Sequence, residues 1–280
     1  MRYRILLLSL LFAASLYPQK RLALVIGIGK YPQESGWQTI HGDTDADSIS
    51  VMLRNAGYDN VNILKNSAAT KSAIVQAFRL LARQASVGDI VYVHFSGHGQ
   101  QMIDLNGDEP DNRDESWIPY DAYKQPNPND RGEKHLVDDQ IGLLLDSVYA
   151  KVGESGRIVV VVDACHSGTS TRGWFFRRGT RQTFPYQNSL AVKSSANHPW
   201  LLISACRDDQ LNSELRKPAM GLLSFAICTA VRNSKSTDNL AFLSELQRIV
   251  NSNKPHDLDQ TIVVTGDLTR FNLLKILSDL

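Results

Sequence analysis

The chain is poor in cysteine: Cys165, Cys206 and Cys228 are the three among 280 residues. A secreted domain stapled by disulfides usually carries an even set in a much shorter chain, so this pattern argues against a disulfide framework and leaves at least one thiol free. An excess of one charge is also lacking. Lys and Arg number 30 against 29 Asp and Glu, a formal net charge of +1, which offers no electrostatic footprint for nucleic acid or an acidic membrane. No internal repeat or linker-like stretch divides the chain, so one domain is expected, although the length would allow two small ones. Hydrophobic residues, at 42%, supply ample material for a core.

Long apolar runs are missing too. The N-terminal one, Ile5 to Leu16, falls short of the roughly 20 residues that span a bilayer. Arg2 and Arg4 precede it, Ala13-Ala14-Ser15 are small, and Pro18 and Gln19-Lys20 follow. This is the pattern of a secretory leader, with a core helix or a short membrane anchor as the alternatives. Residues 1–19 are therefore expected to be removed on export to the periplasm or the exterior, leaving 20–280 as the mature domain.

What is present reads as alternating strands and helices. Short apolar runs at Arg21–Gly27, Val61–Leu64, Asp89–Phe95, Ile158–Val162, Pro199–Ile203 and Thr261–Val264 predict strands. Helical spacing appears from Asp45 to Ala56, closed by Gly57, and again after Thr70, a predicted N-cap. Further helices are predicted over Asp139–Lys151, Leu222–Val231 and Leu240–Val250. Strands apolar on both faces and separated by helices imply an α/β fold: a mostly parallel central sheet with helices on both faces. In such sheets, sites form beyond the carboxyl ends of the strands.

Two predicted strands end in chemistry. One runs into Ser96-Gly-His98-Gly99, the other into Asp163-Ala-Cys165-His166. A cysteine attacks as its thiolate and needs a neighbour to take its proton. His98 is the candidate base, because His166 adjoins Cys165 in sequence and is expected to point elsewhere. The N–H groups of Gly99 and Cys165 are candidates for an oxyanion hole. Either residue alone would read as a buried cysteine or a capping histidine; two such strand ends together favour catalysis. His94 and His98 do not make a zinc site, since that motif needs His-Glu-x-x-His on a helix. Gly27-Ile-Gly29 lacks the third glycine of a dinucleotide loop.

Two stretches stand out by charge. Asp104, Asp108, Glu109, Asp111, Asp114 and Glu115 face a single Arg113 between 104 and 115. From Ala164 to Arg207 there is no acid, while Arg172, Arg177, Arg178 and Arg181 crowd together. Taken singly, each reads as a solvated surface loop.

These motifs resemble those of caspase-type cysteine peptidases, in the metacaspase and bacterial orthocaspase branch. The similarity runs in order from Ala23–Ile28 with Tyr31-Pro32, through Thr44-Asp-Ala46, Phe95–Gln101, Gly107-Asp-Glu, Asp114-Glu115 and Val137-Asp-Asp139. It continues with Asp163–Gly168, Ser204-Ala205, Gln210, Glu214 and Gln260–Gly266. The separation of His98 from Cys165 exceeds the roughly 50 residues of caspases, which leaves room for the acidic insert.

The resemblance implies a three-layer caspase-like fold and a His98/Cys165 dyad. It also implies cleavage of protein or peptide substrates after Arg or Lys, where animal caspases favour Asp. Asp163 and Asp45 match the family's S1 acids, which would receive a guanidinium by charge and bidentate geometry; a structural acceptor is the lesser alternative for Asp163. No cofactor is required for the chemistry. Calcium activation through Asp114, Asp138 and Asp139 is a further implication, weakened because Thr169-Ser-Thr-Arg172 carries no acid where one more ligand is expected. A monomer is expected, with self-cleavage in the acid-free segment 169–198. The competing readings are a clostripain- or gingipain-like peptidase of the same clan and a non-catalytic caspase-like binding module.

Overall fold

The computed structural model describes residues 18–104, 107, 112–164, 178–184 (179–184 as backbone only), 198–207, 210–233 and 236–279. The expected leader, the bulk of the acidic insert, Cys165 and His166 lie outside the described residues.

The strands are β1 (Arg21–Gly27), β2 (Asn60–Lys65), β3 (Ile90–Ser96), β4 (Gly99–Ile103), β5 (Arg113–Trp117), β6 (Leu136–Val137), β7 (Arg157–Asp163), β8 (Gly179–Phe184), β9 (Leu201–Ser204), β10 (Glu214–Arg216), β11 (Ala219–Gly221) and β12 (Val263–Thr265). The helices are α1 (Gly42–Asn55), α2 (Lys71–Gln84), α3 (Asp138–Val152), α4 (Leu222–Asn233), α5 (Asn239–Asn253) and α6 (Leu273–Leu277). Among the described residues, none of the helices is long and apolar enough to cross a membrane.

The main sheet has the order β12-β9-β7-β3-β1-β2. Every pairing in it is parallel except β12 with β9. Strand alternation explains its two cores. Ala23, Val25, Tyr92, Val159 and Val161 face α1, α4, α5 and α6. Leu22, Leu24, Ile26, Val91, Val93, Ile158, Val160 and Val162 face α2 and α3. Because successive side chains point to opposite faces, a strand buried on both sides is apolar along its middle, as β7 is from Ile158 to Val162. Burying each such side chain stabilises by about 1.5–3 kcal/mol.

Local chemistry sets the helix boundaries. Thr70 caps α2, its side chain accepting a hydrogen bond from the Ala73 N–H. Helix α1 begins at Gly42, three residues before the expected start. Gly42 is required there: a Cβ would lie 2.5 Å from the Ser96 carbonyl oxygen, so only glycine lets α1 approach the end of β3.

A second sheet, β6-β5-β4-β8, grows directly from the end of β3. Strands β4 and β5 are antiparallel, and the Trp117 ring stacks on Phe95 at 4.6 Å to tie this sheet to the main core. The acidic stretch is therefore not simply a solvated loop. Asp104 and Asp114, at its two ends, are buried, and Asp114 and Glu115 belong to β5.

Candidate active site

Strands β3 and β7 lie side by side, with Ser96 opposite Asp163. His98 follows Ser96 by two residues, as Cys165 follows Asp163. Cys165 is outside the described residues, so the site is built here from its partners.

His98 is held on three sides. Its N–H donates to the Tyr31 hydroxyl at 3.2 Å, and that hydroxyl donates to the Ile118 carbonyl at 3.1 Å. The imidazole stacks on Trp37 with ring centres 4.8 Å apart. Its Nε2 lies 2.8 Å from the Gln38 carbonyl oxygen, an acceptor only, so the ring proton sits on Nε2. Nδ1 then carries the lone pair, and among the described residues it has no hydrogen-bond partner. Burial pushes the imidazole pKa down to about 3, against the Gln38 hydrogen bond, which raises it. The ring is thus neutral and presents a free base.

Asp45 from α1 and Asp163 from β7 are both fully buried, and the structure brings them together around Arg178. Glu214 from β10 is the third acid. The Arg178 guanidinium contacts Asp45 Oδ2 at 2.5 Å, Glu214 Oε1 at 2.8 Å and Asp163 Oδ1 at 3.5 Å. It also donates to Ser96 Oγ at 2.5 Å and to the Asp163 carbonyl oxygen at 2.9 Å. Each acid has further donors. Ser96 Oγ and the Gly221 N–H serve Asp45, Asn212 and Ser224 serve Asp163, and the His41 N–H and ring serve Glu214. Gly221 is the floor: a Cβ there would lie 2.4 Å from Asp163 Oδ2 and 2.6 Å from the guanidinium carbon.

Three carboxylates around one cation leave excess negative charge, and the two aspartates divide the burden. Burial, aided by the Asp163 charge and opposed by Arg178, raises Asp45 to about 6. Burial also pushes Asp163 upward, but Arg178 and the hydrogen bonds from Ser224 and Asn212 outweigh it and hold that carboxyl below its usual range. Arg178 is in turn held charged by the acids despite its burial.

Gly99 opens β4, opposite Trp117 of β5 and Gly179 of β8. The parallel pairing of Gly99 with Gly179 sets the Arg178–Gly179 backbone beside His98–Gly99.

The other two thiols are free and buried. Burial pushes Cys228 up to about 12, far from a nucleophile's range. Asp138, Asp139 and Asp114 are neighbours, and Glu115 joins them. Burial first, then the charges of Glu115, Asp114 and Asp139, push Asp138 up to about 9. Yet among the described residues no three His, Cys, Asp or Glu side chains are gathered to hold a metal ion. Most of the acidic insert lies outside the described residues, and no step is routed through a metal ion.

Asp45 and Asp163 meet in one pocket, as the motifs lead one to expect. Glu214, in the family-like stretch but with no role implied there, joins them, and Arg178 is set apart from the other three arginines of its stretch.

The peptidase family described as "Caspase domain" matches residues 20–271. Metacaspase-1 of Botryotinia fuckeliana is 26% identical over 281 aligned positions, which take in 81% of this chain and 64% of that protein. The chain therefore spans less than two thirds of that relative's length. Among solved structures, a Geobacter sulfurreducens protein superposes with a TM-score of 0.66 at 24% identity, over 89% of this chain and 94% of that one. Caspase-1 from Spodoptera frugiperda superposes with a TM-score of 0.60 at 12% identity, over 89% and 86%. The mostly parallel sheet, the layered helices and the match over nearly all of residues 20–271 lead to one conclusion: the chain belongs to the caspase domain family of peptidases, and its curated relatives are metacaspases.

Proposed function

We propose that this protein is a cysteine endopeptidase that cleaves proteins after Arg, and less well after Lys. The observation that carries the specificity is the fully buried pocket of Asp45, Asp163 and Glu214, which already encloses a guanidinium of its own chain. Planar, bidentate donors match that carboxylate set better than an ammonium does. An acidic P1 residue would meet only like charge.

In this reading His98 Nδ1 takes the Cys165 thiol proton, and the thiolate adds to the scissile carbonyl carbon. The N–H groups of Gly99 and Cys165 receive the resulting oxyanion. His98 then returns the proton to the departing amine, the C–N bond breaks, and a thioester remains. Water, deprotonated by His98, releases the acid and restores the thiol. No cofactor enters these steps.

Self-processing belongs to the same reading. Arg178 occupies the pocket, and the Gly99–Gly179 pairing lays the Arg178–Gly179 bond beside His98. That bond is the expected cut within 169–198, and the pocket must be vacated before a substrate in trans can enter. Residues 1–19 act as an export leader, and the mature chain works as a monomer. N-terminal sequencing of secreted protein and sedimentation velocity check these two points.

The test is hydrolysis of Arg-, Lys- and Asp-aminomethylcoumarin peptides by wild type, Cys165→Ala and His98→Ala. Turnover after the basic residues that both variants lose is expected. No turnover on any of them would favour a binding module instead.

A further inference from the structure

Behind Asp163 runs a buried chain of polar side chains that the proposed chemistry does not use. Ser224, in the first turn of α4, donates its hydroxyl to Asp163 Oδ2 at 2.6 Å, and its N–H reaches the same oxygen at 2.7 Å. Ser224 Oγ lies 3.1 Å from His94 Nε2, and His94 Nδ1 lies 3.2 Å from the Tyr92 hydroxyl. All of these side chains are fully buried.

The directions of these bonds follow from the carboxylate. An ionised Asp163 can only accept, so the single Ser224 hydroxyl hydrogen is committed to it. At His94 the hydroxyl must then accept, which puts the ring proton on Nε2. Nδ1 is left to accept the Tyr92 O–H. Burial lowers the His94 pKa to about 4, so the ring is neutral and carries the single proton this order needs. Strand alternation makes the chain possible, since Tyr92 and His94 share the face of β3 turned to α4. A histidine and a tyrosine in the middle of an apolar sheet cost desolvation unless fully hydrogen-bonded. Apolar residues would suffice for the core alone.

We propose that Ser224, His94 and Tyr92 are positioning residues for substrate recognition: they orient Asp163 and keep it ionised so that the pocket discriminates for the guanidinium. This rests on Asp163 lining the P1 pocket. Other titratable or charged groups facing Asp163 are Asp45 from α1, Arg178 ahead of β8 and Glu214 on β10. Cys228 on α4 lies beyond, close to Tyr92. His94 and Ser224 are the groups that reach Asp163 from behind, away from the guanidinium.

The experiment compares Ser224→Ala, Ser224→Thr and His94→Gln with wild type on an Arg-aminomethylcoumarin peptide across pH 4–9, counting active enzyme by covalent thiol labelling. Benzamidine serves as a competitive probe of the pocket alone. For Ser224→Ala we expect KM and the benzamidine inhibition constant to rise about tenfold, as for loss of a hydrogen bond to a charge, with kcat within about twofold. His94→Gln should shift both by a smaller amount, and Ser224→Thr should restore wild-type values.

A merely structural role would lower the labelled fraction and leave KM and the benzamidine inhibition constant of the labelled enzyme unmoved, which overturns the inference. Unchanged KM and benzamidine inhibition constant in Ser224→Ala and His94→Gln, with a wild type that cleaves after Arg, overturns this inference alone. A wild type that cleaves after no basic residue overturns the pocket assignment and the inference with it.

Discussion

Two acidic clusters sit in this molecule and behave in opposite ways. Around Arg178, three buried carboxylates share a guanidinium, and Asp163 is held below its usual range. Around Asp138, burial combines with Glu115, Asp114 and Asp139, and the carboxyl is pushed up to about 9. The acids are of the same kind and similarly crowded. The first holds a guanidinium at its centre, whereas burial and the like charges beside it govern the Asp138 carboxyl. Clustered acid residues are therefore not alike; the first cluster encloses a guanidinium between its carboxylates.

The comparison can be broken most forcefully by removing the cation. In the intact Cys165→Ala chain, Arg178→Met leaves Asp45, Asp163 and Glu214 buried without a counter-charge. A loss of about 3–5 kcal/mol is expected from denaturant unfolding. The loss should be smaller at pH 5 than at pH 8, because Asp45, already raised to about 6, then takes a proton in the folded state. An equal loss at both pH values would contradict the electrostatic account.

Filling the pocket is the next largest change. Gly221→Ala puts a methyl against Asp163 Oδ2 and the guanidinium site. A fall of about a hundredfold in kcat/KM on an Arg substrate is expected, equivalent to about 2.7 kcal/mol, measured on labelled enzyme.

The second cluster predicts a gain. The folded pKa of Asp138, about 9, lies above the ordinary carboxylate value of about 4. The folded chain therefore keeps a proton that the unfolded chain releases, and stability falls as pH rises through that window. Asp138→Asn removes the slope. Its Tm should exceed that of wild type by a few degrees at pH 8, about 1 kcal/mol or less, and by less at pH 5.

The smallest effect concerns calcium. Since Thr169-Ser-Thr-Arg172 carries no acid where a further ligand is expected, a calcium chelator should change turnover by less than about twofold, read in the same fluorogenic assay.

Much of this architecture was legible in the sequence because apolar runs such as Ile158–Val162 can only be central strands. The start of α1 was not. Gly42-Asp-Thr carries no apolar periodicity, and the glycine is there for close approach to the Ser96 carbonyl rather than for helix formation. The second sheet was hidden because β4, Gly-Gln-Gln-Met-Ile, is short and polar and pairs with residues far along the chain. Within the site, Asp45 and Asp163 were readable through motif resemblance. Glu214 stood among the family-like residues without a role attached, whereas Ser224 and Gly221 contribute by position alone. Among four arginines in an acid-free stretch, only the fold could single out Arg178.

The central claim is that the pocket of Asp45, Asp163 and Glu214 dictates a basic P1 residue. Profiling cleavage with a fluorogenic peptide library varied only at P1 tests it most directly. The account predicts cleavage after Arg, weaker cleavage after Lys and none after Asp. Preferred cleavage after an acidic or apolar residue would contradict it.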